Sequence, residues 1–494
     1  MKTRNILSNL FNFLLAFSIL AFAGANPTIS LLIAGIVTFA LNYVPAMGGF
    51  LSGFITNGSE YNGKELTDII LRPILQGQLA KDMGVRVFLA VKSSVKLTFF
   101  GPMTKIVKAY ADGWTGGNAA DKLQKKLTLA EFKAEAQYSK QAYKNTILEE
   151  ITNRGGIAQN DITGTVVHTA EVTVFMNAVQ EDVRRIFWLG DTAKKTVTSG
   201  FHVDATGDVN YNVINGIWKS VIAQSATSPT ADQIKRIAMS NGTVAQVATH
   251  TLTGTSGTAN IQINGTNYLA TFTTNLTTSA ANFVTSHAAT LLALGVTVTS
   301  SGVDVILTSS IAGQPFLTIA GINVTGDLDS TLVATTANTP AAALATDEAI
   351  DTFNLMMVGA SAVFKAFLNK LANRGVARLW VTDTMLENYR QTLEAFGTEA
   401  ANKITVDGQE LYTYRGIPLM PMGIDSYLSA DFISPYPHRA LLSVPNNLAL
   451  VLNGSNDDSE VKMWFNPDEN VNRQRAQFEF GADFILPEYC IIAY

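Results

Sequence analysis

Apolar and polar positions recur with changing period along this chain, and the changes of period mark its elements. Two apolar runs come first, 10–23 and 29–51, the second interrupted by Asn42, Tyr43 and Pro45. Turn signals at Asn57-Gly58 and Asn62-Gly63 lead away from them. The stretch 85–100, VRVFLAVKSSVKLTFF, is rich in β-branched and aromatic residues and predicts strands or an extended hairpin. After a glycine-rich loop at 112–118, Leu123, Leu127, Ala130, Ala134 and, two such steps on, Ala142 recur at three- and four-residue spacings, which predicts one long helix over 121–151. Asn153-Arg154-Gly155-Gly156 would stop it. Residues 165–174 alternate like a strand, and 178–189 (AVQEDVRRIFWL) return to helical period.

Past residue 225 the pattern becomes that of short strands. Asn264-Gly265 sits between alternating residues in IQINGTNY, a hairpin signal. Strands are expected at 295–299 and 303–308, with a helix at 279–293 before them. Residues 241–340 hold 23 threonines and three acids, and no lysine or arginine occurs between Arg236 and Lys365, a gap of 128 residues. Persistent alternation favours a compact Thr-rich β module over 225–346 rather than a low-complexity linker. Ordinary composition then resumes, with a helical stretch at 349–372, a strand at 377–382 and a helix at 385–396. Short strands follow at 410–415, 417–422, 440–444 and 448–452, and apolar β-like runs at 475–480 and 484–494. Ends this apolar belong in a sheet or an interface.

Composition narrows the classes. The chain has 494 residues, enough for several domains, with 35 basic and 40 acidic side chains, 15% charged in all and a net charge of −5. That balance excludes intrinsic disorder and argues against a nucleic-acid binder driven by bulk charge. Cys490 is the single cysteine, so an intrachain disulfide, a Cys-based zinc site and a CxxC pair are all excluded. Lys2 and Arg4 before the first apolar run give it the outline of a secretory signal, and the two runs together could make short membrane helices. Asn9, Asn12, Ser18 and Asn42 interrupt them, and an apolar arm buried against other protein is the reading preferred.

Candidate chemistry is sparse. His168, His202, His250, His287 and His438 never fall at i, i+4 spacing, which leaves no HExxH zinc helix. Gly359-Ala360-Ser361-Ala362 lacks the second glycine of a nucleophile elbow, and no glycine-rich loop ends in Gly-Lys-Ser/Thr. The run 453–460 (NGSNDDSE) has oxygen ligands without EF-hand order and reads as a solvated turn. Lys92, Lys96, Lys105 and Lys108 put positive charge on one segment, suited to phosphate or to an acidic protein surface. No catalytic, cofactor-binding or metal residue is expected, and no enzyme activity.

The last third carries a resemblance. Its order is strand 377–382, helix 385–396, then Tyr414-Arg415-Gly416-Ile417-Pro418-Leu419-Met420-Pro421, a strand pair at 439–444 and 448–452, and Phe478-Glu479-Phe480-Gly481-Ala482-Asp483-Phe484. This resembles the end of tailed-bacteriophage major capsid proteins. Glu60-Tyr61-Asn62-Gly63-Lys64-Glu65-Leu66, the apolar arm before it and the Thr-rich insertion look similar to those of crAss-like phages. The resemblance implies an α+β, Hong Kong 97-like (Johnson) fold with N-arm, E-loop, spine helix, peripheral and axial domains, plus the inserted Thr-rich β domain. On that reading 1–56 is the arm, 57–224 the E-loop, spine and peripheral elements, 225–346 the insertion, and 347–494 the axial domain with a return to the peripheral one.

The implied function is that of a major capsid protein forming hexamers and pentamers of an icosahedral shell. Implied partners are the chain itself, portal, scaffold and decoration proteins, and packaged double-stranded DNA held without sequence-specific contacts. The implied location is the virion, assembled in the host cytoplasm, with no membrane and no cofactor. The alternative from the residues is an exported or membrane-anchored surface protein displaying the Thr-rich module as an adhesive domain.

Overall fold

The computed structural model describes residues 84–90, 94–100, 122–139 and 166–494 apart from 231–232, 240–241, 407–408 and 454–459, and isolated positions between 107 and 113. The expected arm at 1–56 and residues 140–151 of the expected helix lie outside the described residues. One compact unit, Leu75–Gln137, Phe175–Trp464 and Arg473–Tyr494, holds most of the described structure. The second is Met1–Ile74, Tyr138–Val174 and Phe465–Asn472, of which 138–139, 166–174 and 465–472 are described.

The centre of the larger unit is a mixed eight-stranded sheet. Its order is Lys403–Val406, Gln409–Tyr414, Ile417–Pro421, Arg378–Val381, Ala440–Ser443, Ile491–Ala493, Ile234–Ile237 and Ser225–Ala226. Its central strands are buried on both faces, which is why RLWV, ALLS and IIA are continuous apolar runs rather than alternating ones. Leu379, Leu419, Leu442 and Ile491 join one core with the helices Glu348–Gly359 and Asp383–Ala395 through Phe353, Met356, Met385 and Tyr389. Trp380, Met420, Leu441 and Ile492 point the other way, into a core with Trp188 and Trp218. Ile491–Ala493 is antiparallel to Ala440–Ser443 and parallel to Ile234–Ile237, so the apolar terminal run is tied into a sheet, as its composition required.

A second sheet of five strands has the order Arg86–Ala90, Leu448–Asn453, Val471–Phe484, Glu460–Asn466, with Ala130–Ser139 also paired to Val471–Phe484. Of the two forms expected for 85–100, separate strands are found and the hairpin is not: Arg86–Ala90 runs parallel to Leu448–Asn453, and Ser94–Phe100 is antiparallel to Lys122–Thr128. The helix expected over 121–151 is, in its described part, the strands Lys122–Thr128 and Ala130–Ser139. A four-residue spacing is an even number, so Leu123 and Leu127 share a strand face as readily as a helix face. In Ala130–Ser139, Glu131, Lys133, Glu135 and Gln137 are exposed while the residues between are half-buried. Phe132 stacks on Phe480 with ring centroids 4.3 Å apart.

The expected strand at 165–174 is instead the first part of one helix, Val166–Leu189. Among its described buried positions, Glu171, Phe175, Val183, Ile186 and Phe187, with half-buried Val179 between, follow spacings of four, four, four, three and one; Asn177, Trp188 and Leu189 are buried as well. That helical stripe overrides the β preference of Val166, Val167, Val172 and Val174. The helical stretch expected at 349–372 is three helices, Glu348–Gly359, Ala362–Leu368 and Leu371–Arg374. The Ser361 hydroxyl caps the second by accepting from the Phe364 N–H at 3.1 Å.

Residues 247–336 build their own two antiparallel sheets. One has the order Thr266–Thr271, Gly257–Ile263, Thr318–Gly326; the other Val296–Ser301, Asp304–Ser309, Val247–Thr253, Asp329–Thr336. The helix Leu276–Ala293, capped by Asn275, packs Ala280, Phe283 and Leu291 into a shared core with Ile261, Val305, Leu307 and Leu328. Asn264 and Gly265 both have positive φ, 48° and 85°, as a two-residue type I′ hairpin turn demands. Ser225–Ala226 and Ile234–Ile237, within the segment expected to open the inserted module, pair in the eight-stranded sheet instead.

Candidate functional site

Polar side chains buried in the body are the first place to look for chemistry, and Arg439, Lys194, Tyr211 and Cys490 are held in structural contacts. Arg439 is buried with Trp218 beneath it, its guanidinium carbon 5.2 Å from the ring centroid. Its Nε donates to the Tyr436 carbonyl and its Nη2 to the Ser434 hydroxyl, both at 2.9 Å, which fixes the loop before Ala440–Ser443. Burial lowers its pKa to about 10, which leaves it charged at neutral pH. Lys194 pairs with Asp208 at 2.9 Å and lies near the faces of Tyr211 and Phe432. The Tyr211 hydroxyl donates to Asp431, and burial with that contact raises its pKa above the ordinary phenol value. Cys490 accepts from the Asn447 amide at 3.1 Å, and burial pushes its thiol up to about 12, so no thiolate forms at neutral pH.

A groove of about 400 Å³ comes nearest to a reactive geometry, lined by Leu344, Asp383, Thr384, Glu387, Gln391 and His438. The His438 Nε2 lies 3.1 Å from the Ala342 carbonyl, which can only accept, so Nε2 carries the proton. Nδ1 then faces the Thr384 hydroxyl at 2.9 Å, and the Thr382 hydroxyl and Asp425 stand as competing acceptors of its proton at 3.2 and 3.3 Å. The arrangement resembles a base beside a nucleophile, but a backbone carbonyl stands where an orienting carboxylate would. Asp425 accepts from the Asp383 and Thr384 backbone N–H groups at 2.9 and 3.3 Å, capping the helix Asp383–Ala395. Burial, then the Asp425 charge, raises the Asp383 pKa, and Arg184 opposes them. These bonds fasten the groove's walls together.

The other expected positions scatter. His250 and His287 lie in the 247–336 unit, bonded to Thr318 and to the Leu269 carbonyl. His168 is on the helix Val166–Leu189, and His202 on the strand Phe201–Gly207. Residues 454–459 of the oxygen-rich run, and Lys92, Lys105 and Lys108, lie outside the described residues. Among the described residues no three His, Cys, Asp or Glu side chains are grouped to hold a metal ion, and no helix is long and apolar enough to cross a membrane.

Surfaces offer more than pockets. The ribbon Ser94–Phe100/Lys122–Thr128 is a two-stranded sheet of its own, and Lys96 stands directly across from Lys126, both exposed. Like charges directly opposite destabilise a strand pair. On the body side Leu127 is buried with Ala449 and Val451, and Lys125 bonds Asp483 at 2.9 Å. The connection between the two strands carries Val107 and Tyr110, exposed to 91% and 92%. Leu355, Val358 and Leu371, on the helices beside the eight-stranded sheet, are 53%, 63% and 82% exposed.

No family model and no curated protein matches the chain. Solved structures do. The chain is similar to the capsid of the native GTA particle, at 9% identity and a TM-score of 0.41, over 92% of this chain and 99% of that one. It is similar to the procapsid of satellite phage P4 with its size determination protein, at 8% identity and 0.36, over 91% and 95%. A third is the holo-SrpI encapsulin complex from Synechococcus elongatus, at 6% identity and 0.35, over 90% and 94%. Identities this low carry no residue correspondence.

Sequence reasoning passed over Arg439, Lys194 and the Tyr211–Asp431 pair. Tyr211 and Asp431 lie 220 residues apart, and the Trp218 indole beneath Arg439 reaches Met422 across 204. No spacing along the chain announces such contacts.

Proposed function

We propose that this chain is a major capsid protein of a tailed bacteriophage, of the kind found in crAss-like phages. It would assemble as hexamers and pentamers into an icosahedral shell around double-stranded DNA held without sequence-specific contacts. The observation that carries the reading is the ribbon with its connection: a two-stranded sheet of marginal intrinsic stability, with a cross-strand lysine pair and nearly bare Val107 and Tyr110. A neighbouring subunit would supply the apolar cover and the negative charge that no described ion pair brings to these lysines. The ribbon would be the E-loop and the helix Val166–Leu189 the spine, with the eight-stranded sheet as the axial domain and the five-stranded sheet as part of the peripheral one.

Residues 1–56 would be an arm over adjacent subunits, and the unit at 247–336 an inserted surface domain. Portal, scaffold and decoration proteins would be further partners, the virion the location and the host cytoplasm the place of assembly. The chain would have no enzyme activity. Velocity sedimentation of a detergent-free lysate, with negative-stain microscopy of the fast fractions, tests this. Closed shells or capsomer rings are expected. A slowly sedimenting monomer, or a protein released from membranes only by detergent, would overturn the reading.

A further inference from the structure

The Thr-rich unit at 247–336 rests on the body through a small set of polar contacts, and one of them can change charge. Asn264, at the tip of its hairpin, donates through Nδ2 to the His202 carbonyl at 2.8 Å and accepts through Oδ1 from the Leu317 N–H at 2.8 Å. Gln314, in the loop before the strand Thr318–Gly326, lies with Nε2 at 2.8 Å from His202 Nε2 and 3.4 Å from the Phe432 and Ile433 carbonyls. An amide nitrogen only donates, so His202 Nε2 must be the accepting, unprotonated nitrogen. A proton on Nε2 would set two donors against each other. Turning the Gln314 amide round would answer the new N–H only by giving up its bonds to the Phe432 and Ile433 carbonyls and setting its oxygen 3.4 Å from each.

We propose that His202 is a pH-sensitive latch for the Thr-rich unit: neutral, it holds Gln314 and the unit is seated on the body; protonated, it releases Gln314 and loosens the seat. The surrounding charges support the device. From its own hairpin the facing charge is Lys194, already bonded to Asp208 at 2.9 Å. From the segment 431–433 the Phe432 carbonyl works the other way and favours the protonated ring, while the neighbouring Asp431 is occupied by the Tyr211 hydroxyl. The Thr-rich unit contributes Gln314 and no cation, since it contains no lysine or arginine. Burial, then Lys194, holds His202 below the ordinary histidine value, so it is neutral at pH 7 and the unit is seated there. The inference is independent of the capsid reading, because it concerns two parts of one chain.

The test is a distance measurement on the full chain carrying spin labels at Ser300→Cys, in the Thr-rich unit, and Gln391→Cys, on the body. Cys490 is buried and stays unlabelled. The protonation of His202 is followed in parallel from its imidazole carbon signal, assigned by its disappearance in His202→Gln. Expected are a narrow distance distribution at pH 7.5, broadening in step with His202 protonation, and no such broadening in His202→Gln, whose amide oxygen can still accept from Gln314. Gln314→Ala should be broad already at pH 7.5. A width that stays constant while His202 protonates overturns the proposal. So does a His202 that stays neutral until the chain unfolds, or a Gln314→Ala variant as narrow as the parent.

Discussion

His250 makes the Thr-rich unit sensitive to acid in a way that can be worked out before the measurement. The side chain is fully buried on Val247–Thr253, and its Nε2 is 2.8 Å from the Thr318 hydroxyl oxygen. That hydroxyl spends its proton on the Gln262 carbonyl at 3.0 Å, so Nε2 must donate and Nδ1 is the bare nitrogen. Nδ1 is buried without a hydrogen-bond partner, and a proton placed there would be a charge in an apolar core. Burial accordingly lowers the pKa from 6.5 to about 4. With the folded value depressed, the unfolded chain binds the proton first. Stability is whole above pH 6.5 and falls as the pH drops toward 4. Two and a half pH units at ~1.36 kcal/mol each make the full loss about 3 kcal/mol, and at pH 5 it is about 2 kcal/mol.

Amide exchange of the strand Val247–Thr253, corrected for intrinsic rates and compared between pH 7 and pH 4.5, reads this directly. His250→Leu should flatten the pH dependence, at a cost near neutrality of about 1 kcal/mol for the lost Thr318 bond. The reasoning is refuted if the strand keeps the same stability at both pH values, or if His250→Leu retains the parent slope.

A second acid limb belongs to Asp327, which accepts from the Ser256 and Thr255 hydroxyls at 2.7 and 2.8 Å and is held at about 2. Its contribution is present above pH 3.8 and lost between there and about 2, so Asp327→Asn should remove only this lower limb in an acid titration followed by circular dichroism. Cys490, with its thiol pushed up to about 12, should resist thiol reagents at pH 8 in the folded protein and react at once in denaturant; fast labelling of the native chain would contradict its burial. Trp380, fully buried in the eight-stranded sheet, should cost about 3–5 kcal/mol as Trp380→Ala, measured by urea unfolding; a loss below about 1 kcal/mol would mean that the two cores do not meet at this strand.

Legibility in the sequence followed the range of the interaction. Asn264-Gly265, the alternation on either side of it and the helix Leu276–Ala293 could be read locally, because turn geometry and side-chain period act over a few residues. The runs 378–381, 440–443 and 491–493 were recognisable as strands from apolar continuity. Which strand each would adjoin was not. Ile491–Ala493 lies beside Ile234–Ile237 across more than 250 residues of chain, and nothing local specifies that register.

By itself, then, the sequence determined where apolar period switches, where turns must fall, and that cysteine or zinc chemistry of the excluded kinds could not occur. The tertiary structure decided the cases where two periods fit the same residues. Leu123 and Leu127 satisfy helix and strand alike, and pairing with Ser94–Phe100 settles the matter because it satisfies backbone hydrogen bonds of both strands at once. In Val166–Leu189 the balance goes the other way, since a buried stripe outweighs the β preference of its valines. Gln314 beside His202, Arg439 over Trp218 and Tyr211 against Asp431 belong wholly to the folded state: a polar side chain takes its role from the groups that burial brings to it.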